Sequence, residues 1–207
     1  MLSDHGAGGS VAGDFVSAKE RIFARSYDEV RADHRNRYEW VAKQVGGRFV
    51  IDAACGCGYG SAILADAGCR VLGIDNSAEA IEFARAAWSR ERLEFRHADL
   101  MYAELPHADA AVSFETIEHL KRPKLFLREL RLREISRLFV SVPNEEEFPH
   151  ASAGNRFHLR HYTPRQLAKR LRECGWEVVD WYGQADKMAP VTEGAKGRTI
   201  IASAVLA

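Results

Sequence analysis

The stretch FVIDAACGCGYG, residues 49–60, constrains this chain more than any other feature. A short apolar run ending in an acid, followed by glycines at alternate positions, reads as a buried strand that turns through a loop into a helix. Glycines in such a loop let a ligand approach the main chain, because no Cβ intervenes and positive φ costs little. The two cysteines inside it raise rival readings, a metal site or a redox pair. The chain has four cysteines, Cys55, Cys57, Cys69 and Cys174, and no C-x-x-C. A structural zinc site would call for two such pairs or nearby histidines, so no metal is expected there. With no secretion signal the four thiols read as reduced, and Cys55 and Cys57 as small occupants of a tight turn.

The remaining chain repeats the strand-then-helix alternation. Residues 1–16 are expected to be a disordered N-terminus, and 17–207 a single domain whose residues 17–45 form an N-terminal helical cap. CRVLGID is a second strand, with Ser77 as N-cap for AEAIEFARAAWSRE. LEFRHAD and DAAVSF are a third and a fourth strand. KLFLRELRLREI is a helix with Leu125, Leu127, Leu130 and Leu132 for burial, and SRLFVSVP a fifth strand. Thr163 and Pro164 open another helix that Gly175 stops, and EVVDWYG and TIIASAVLA close the chain. The pattern predicts an α/β fold: a doubly wound, mostly parallel seven-stranded sheet with a C-terminal antiparallel hairpin.

With 207 residues, 46% of them hydrophobic, one full core is available. The 29 basic and 29 acidic residues balance, which argues against nucleic acid as a partner. No segment has the run of roughly 18 apolar residues that a membrane helix needs, and the start carries no signal-peptide pattern, so a cytoplasmic location and no membrane partner are expected.

In doubly wound sheets ligands sit beyond the carboxyl ends of the strands, where this glycine loop lies. A dinucleotide fingerprint would place a third glycine at position 61, which is Ser61. Asp52 at the strand end would repel a pyrophosphate but suits the cationic sulfonium and ammonium of S-adenosylmethionine. Asp75, at the end of the second strand, is placed for a ribose hydroxyl pair of either cofactor. The plainer alternative for both acids is a helix cap or a solvent-facing loop.

Four ordered segments, VIDAACGCGYGS, VLGIDNS, FRHADL and SFETIEHL, resemble those of the class I S-adenosylmethionine-dependent methyltransferases, over roughly residues 30–182. The resemblance implies S-adenosyl-L-methionine as cofactor, with a Rossmann-like methyltransferase fold. It implies that Asp52, Gly56, Gly58 and Tyr59 frame the methionine part, Asp75 and Asn76 the ribose, and Asp99 and Leu100 the adenine, with Phe114 alongside. The segment HRNRYEWVA looks like a helix laid over the cofactor, with Arg37 a partner for its carboxylate. Ala54 stands where the family usually has its first glycine. The proline-asparagine pair after the fifth strand and NRFHLRHYT are similar to small-molecule O-methyltransferases of sugar and polysaccharide modification. An RNA or N-methyltransferase is the alternative, and a non-catalytic cofactor-binding partner subunit is the alternative of another class; a homodimer is left open.

Methyl transfer to a hydroxyl needs in-line positioning and a base, and histidine is the natural base near neutral pH. His119 and His158 are the candidates, while His150 and His161 read as surface or helix-capping. If residues 115–119 begin a helix, Glu115, Glu118 and His119 share a face and with His158 would offer a mixed oxygen and nitrogen site for a divalent ion; acids capping the helix are the plainer reading. Residues 183–198 are longer than a hairpin needs and read as a lid or a disordered excursion.

Overall fold

The computed structural model describes residues 21–207. The expected disordered residues 1–16, and 17–20 of the helical cap, lie outside the described residues. Five strands, β1 (Phe49–Ala53), β2 (Arg70–Asp75), β3 (Leu93–His97), β4 (Ala110–Phe114) and β5 (Arg137–Pro143), run parallel. Three more follow: β6 (Trp176–Gln184), β7 (Thr192–Glu193) and β8 (Thr199–Leu206), with β8 antiparallel to both β5 and β6. The sheet order is β3-β2-β1-β4-β5-β8-β6-β7, so the order reverses between β1 and β4. The eighth strand, absent from the sequence reading, is β7. It adds two residues to the edge of the sheet, pairing Tyr182 with Glu193 and Gly183 with Thr192.

Register explains why these strands read as unbroken apolar runs. Val50 pairs with Val71, and their side chains join one core, while Ile51 pairs with Leu72 and joins the other. The same alternation recurs where Val112 pairs with Phe139 and Ala111 with Leu138. Both faces are therefore buried, as a parallel sheet requires. One face is covered by α1 (Ala32–Val45), α2 (Tyr59–Asp66) and α3 (Ala78–Ala87) through Val41, Leu64 and Ile81. The other is covered by α4 (Pro123–Leu132) and, beyond the four-residue α5 (His150–Ala153), by α6 (Pro164–Arg172).

Local signals set several of the helix starts. Ser77 accepts from Ala80 N–H, and Thr163 forms a full capping box with Gln166. In α4 the buried set is Pro123, Phe126, Leu127 and Leu130, which follows i, i+3, i+4, i+7. Leu125 and Leu132, expected in the core, are exposed. The expected helical cap is also shorter: helix starts at Ala32, and residues 21–31 are irregular apart from a turn of 3₁₀ at Tyr27–Glu29. Their polar groups bond away from a helix, with Arg25 N–H on Glu29 carboxylate and Tyr27 Oη on Asp66.

Candidate active site

The carboxyl ends of β1 and β4 flank the point where strand order reverses, and a cavity of about 200 Å³ opens there. Of the residues expected to hold a cofactor, Arg37, Ala54, Gly56, Tyr59, Asp75, Asn76, Asp99, Leu100 and Phe114 line it. The glycine loop is tightly folded. Ala54 has φ 64°, Gly56 φ 56° and Gly58 φ 87°. An alanine thus already occupies the left-handed region where the family usually has glycine. Gly56 N–H donates to Asp75, whose carboxylate also takes the N–H of Ser77.

Two expected residues are elsewhere. Asp52 is fully buried below the loop, where it accepts hydrogen bonds from Tyr38 Oη at 2.9 Å and Ser61 Oγ at 2.6 Å. It shapes the cavity through Tyr38 rather than facing into it. Burial pushes its carboxyl up to about 6, against the pull of those two hydrogen bonds. Gly58 also lies off the cavity. A Cβ there would come within 2.7 Å of Ala84 and Phe95, so packing against α3 and β3 by itself calls for glycine.

Residues to which sequence reasoning gave no site role, His34, Tyr38 and Arg21, join Arg37 in the walls. His34, Arg37 and Tyr38 fall at i, i+3 and i+4 on α1, a spacing that marks one face in advance. The guanidinium of Arg31 can only donate, so His34 Nε2 accepts from it and His34 Nδ1–H donates to Tyr59 Oη at 2.7 Å. Burial, with Arg37 and Arg31 nearby, holds His34 well below the ordinary histidine value. Both ring nitrogens are thus spoken for, which removes His34 as a base. At the end of β2 Arg21 pairs with Asp75 at 2.8 Å and reaches Asn76 at 2.9 Å.

Arg37 is 1% exposed and bonds Glu115 at 2.9 Å and Ser141 at 2.8 Å. Among the described residues its Nη2 is buried without a hydrogen-bond partner, 3.7 Å from Asp33. That leftover donor fits the carboxylate of an amino-acid moiety.

A second cavity, about 350 Å³, adjoins the first, and His34, Glu115 and His119 line both. Its other walls include His158 and Phe148, with Asp186 and Lys187 from the 183–198 segment. That segment is ordered against α1: Lys187 C=O accepts from Asp33 N–H, and Ala189 C=O from Asn36 and Gln184. Residues 115–119 form turns and not a helix. Glu115 sits at φ 51°, with its N–H on the Ser141 carbonyl of β5, and turns to Arg37. Glu118, His119 and His158 do converge, each offering one potential ligand atom within 4.8 Å of the others. His119 Nδ1 donates to the Phe157 carbonyl at 3.1 Å, and its Nε2 lies 3.9 Å from Glu118 Oε1. Burial, reinforced by His119, His161 and His150, lowers His158 to about 4, so it is unprotonated at neutral pH. His161, expected at the surface, is buried at 5% exposure. All four cysteines are free and buried, and burial pushes the Cys57 thiol up to about 12.

The strand order and the cleft at its reversal are those of a class I methyltransferase fold. The CcbJ methyltransferase from Streptomyces caelestis superposes with a TM-score of 0.70 over 86% of this chain and 97% of its own, at 18% identity, a likeness of fold alone. The family model described as a methyltransferase domain matches residues 51–133. A probable S-adenosylmethionine-dependent methyltransferase from Mycolicibacterium smegmatis is 35% identical over 159 residues, which cover 72% of this chain and 60% of that one. A ubiquinone biosynthesis O-methyltransferase from Aromatoleum aromaticum is 25% identical over 72% of this chain and 73% of its own. Residues 51–133 thus match a methyltransferase domain, and the chain is similar to S-adenosylmethionine-dependent methyltransferases. It spans only 60% of the length of its mycobacterial relative. Among the described residues no helix is long and apolar enough to cross a membrane.

Proposed function

We propose that the chain transfers the methyl group of S-adenosylmethionine to a hydroxyl of a small molecule, a sugar or similar polar metabolite. The observation that carries this reading is the common boundary of the two cavities at His34, Glu115 and His119. A cofactor in the first cavity and an acceptor in the second would meet there. The second cavity has the size of a metabolite site, which supports a small acceptor. The named kinship to an O-methyltransferase supports oxygen as the acceptor atom.

In this reading Asp75 and Asn76 take the ribose hydroxyls, Asp99 and Leu100 bracket the adenine, and Arg37 Nη2 takes the carboxylate. Phe114 and Tyr59 cover the methionine part, where Ala54 and Gly56 allow close approach. Bound S-adenosylmethionine supplies an electrophilic methyl group; the protein aligns the acceptor oxygen with it, excludes water and receives the hydroxyl proton. His158 is the base, unprotonated at neutral pH, and His119 holds the acceptor beside it.

Titration with S-adenosylmethionine and S-adenosylhomocysteine, followed by transfer of labelled methyl to matched hydroxyl and amine acceptors, tests the reading. Failure of both cofactor forms to bind refutes it. Transfer to amines alone refutes the oxygen assignment.

A further inference from the structure

Four histidines pack ring to ring beside the acceptor cavity. His158 lies 4.7 Å from His119 and 5.0 Å from His161, and His161 lies 5.1 Å from His150 and 5.5 Å from Phe148. Of these four, His119 and His158 line the two cavities described above. His161 lines neither of the two cavities and is buried between Phe148 and His150.

Its hydrogen bonds nevertheless have a direction. The Phe148 carbonyl, 2.7 Å from His161 Nδ1, can only accept, so that nitrogen carries a proton. Burial holds His161 below the ordinary histidine value, with His150 adding to the effect and the Phe148 carbonyl and Glu145 opposing it. In neutral His161 the other nitrogen, Nε2, is bare. His158 Nδ1 lies 2.7 Å from it and must therefore donate. The proton of neutral His158 is fixed on Nδ1. His150 steadies the same residue by its main chain, donating from Nε2 to the His158 carbonyl at 2.9 Å.

We infer that His161 is a positioning residue: by relaying the polarity of the Phe148 carbonyl, it holds His158 in the Nδ1–H tautomer and leaves bare Nε2 as the nitrogen available to the acceptor cavity. A histidine in the opposite tautomer would present an N–H there and could not take a proton at that atom. The use of that lone pair as a base rests on the methyl-transfer reading. The tautomer itself does not.

The test is long-range ¹H–¹⁵N correlation of the imidazoles in the uniformly labelled full chain at pH 7.5, saturated with S-adenosylhomocysteine, with His158 assigned by its loss in His158→Asn. The native chain is expected to show one form of His158, protonated at Nδ1 and bare at Nε2. His161→Phe keeps a ring between Phe148 and His150 but cannot accept, and is expected to lose the single pattern to a mixture of tautomers. His161→Gln, whose Oε1 accepts, restores it. Cofactor-product affinity within about twofold of native in both variants would show that the fold is intact. An Nε2–H form in the native chain, or an unchanged pattern in His161→Phe, overturns the inference even if one variant fails to fold, because the native spectrum decides by itself. If the tautomer is as stated but neither cofactor form binds, the methyl-transfer reading falls and the positioning role stands.

Discussion

Gly56 and Gly58 sit two residues apart in one loop, and the structure gives them separable jobs. Among the described residues a Cβ on Gly56 would meet only Arg21 Cγ, at 4.0 Å, and Gly56 lines the first cavity, so the added methyl takes space there. Its φ of 56° lies in the left-handed well, where Ala54 already sits at 64°. Gly56→Ala is thus expected to destabilise by about 1 kcal/mol. Gly58 has φ 87° and ψ −3°, outside that well, and its Cβ would press on Ala84 and Phe95 at 2.7 Å. Strain of ~1–2 kcal/mol and overpacking of ~1–3 kcal/mol add to roughly 2–5 kcal/mol. For a chain of this length that lowers Tm by about 4–20 °C, against about 2–4 °C for Gly56→Ala. Calorimetric titration with S-adenosylhomocysteine should show the reverse order. Gly56→Ala is expected to weaken binding about tenfold or more, and Gly58→Ala, held well below its own Tm, only a few-fold. A Gly58→Ala protein of native Tm that no longer binds, or a Gly56→Ala protein of native affinity, would refute the assignment.

Asp52 carries a pH signature. Its folded value of about 6 is above that of an unfolded aspartate, so its contribution to stability is fully present below about pH 4 and is lost as pH rises through about 6. The loss amounts to about 3 kcal/mol by pH 7, so urea unfolding should show Asp52→Asn gaining on the native chain by that order between pH 4 and 7; parallel curves would sink the idea. Arg21, partly exposed, holds the acid proposed for the ribose, so Arg21→Ala is expected to tighten S-adenosylhomocysteine binding about two- to fivefold, and weaker binding would mean Arg21 is a ligand contact. Chelation is expected to leave methyl transfer within about twofold, given His158 as base. A loss restored by Mg²⁺ or Mn²⁺, with bound metal by elemental analysis, would make Glu118, His119 and His158 a ligand set.

What was legible in the sequence is what neighbouring residues decide. Ser77 and Thr163 cap their helices because the bonds they make lie within three residues, and the alternate glycines announce a strand-to-helix turn whatever surrounds them. Glu115 was misplaced because its backbone bonds Ser141 on another strand, which breaks the helical spacing that 115–119 suggests. The leucines of α4 misled because apolar residues occupy two faces and only contact with the sheet selects Phe126 over Leu125. His161 looked like one of several loop histidines, since its burial depends on Phe148 and His150 being folded around it.

Asp52 shows the same limit and also explains the last glycine of the loop. A Cβ on Gly60 would fall 2.1 Å from the Tyr38 ring, so only glycine at this position admits α1 onto α2. Tyr38, once admitted, donates to Asp52, which also accepts from Ser61 on α2. One turn back on the same helix face, α1 carries His34 to Tyr59, and between them Arg37 to Glu115, at the boundary of the two cavities. The three glycines therefore answer to three surfaces: Gly56 to the first cavity, Gly58 to α3 and β3, and Gly60 to the helix α1. Replacing Gly60 with alanine would act through displacement of α1 and of the Tyr38 ring in the cavity wall. Its effect on binding should therefore be reproduced by Tyr38 variants that loosen the same contact, and not by substitutions at Cys55 or Cys57.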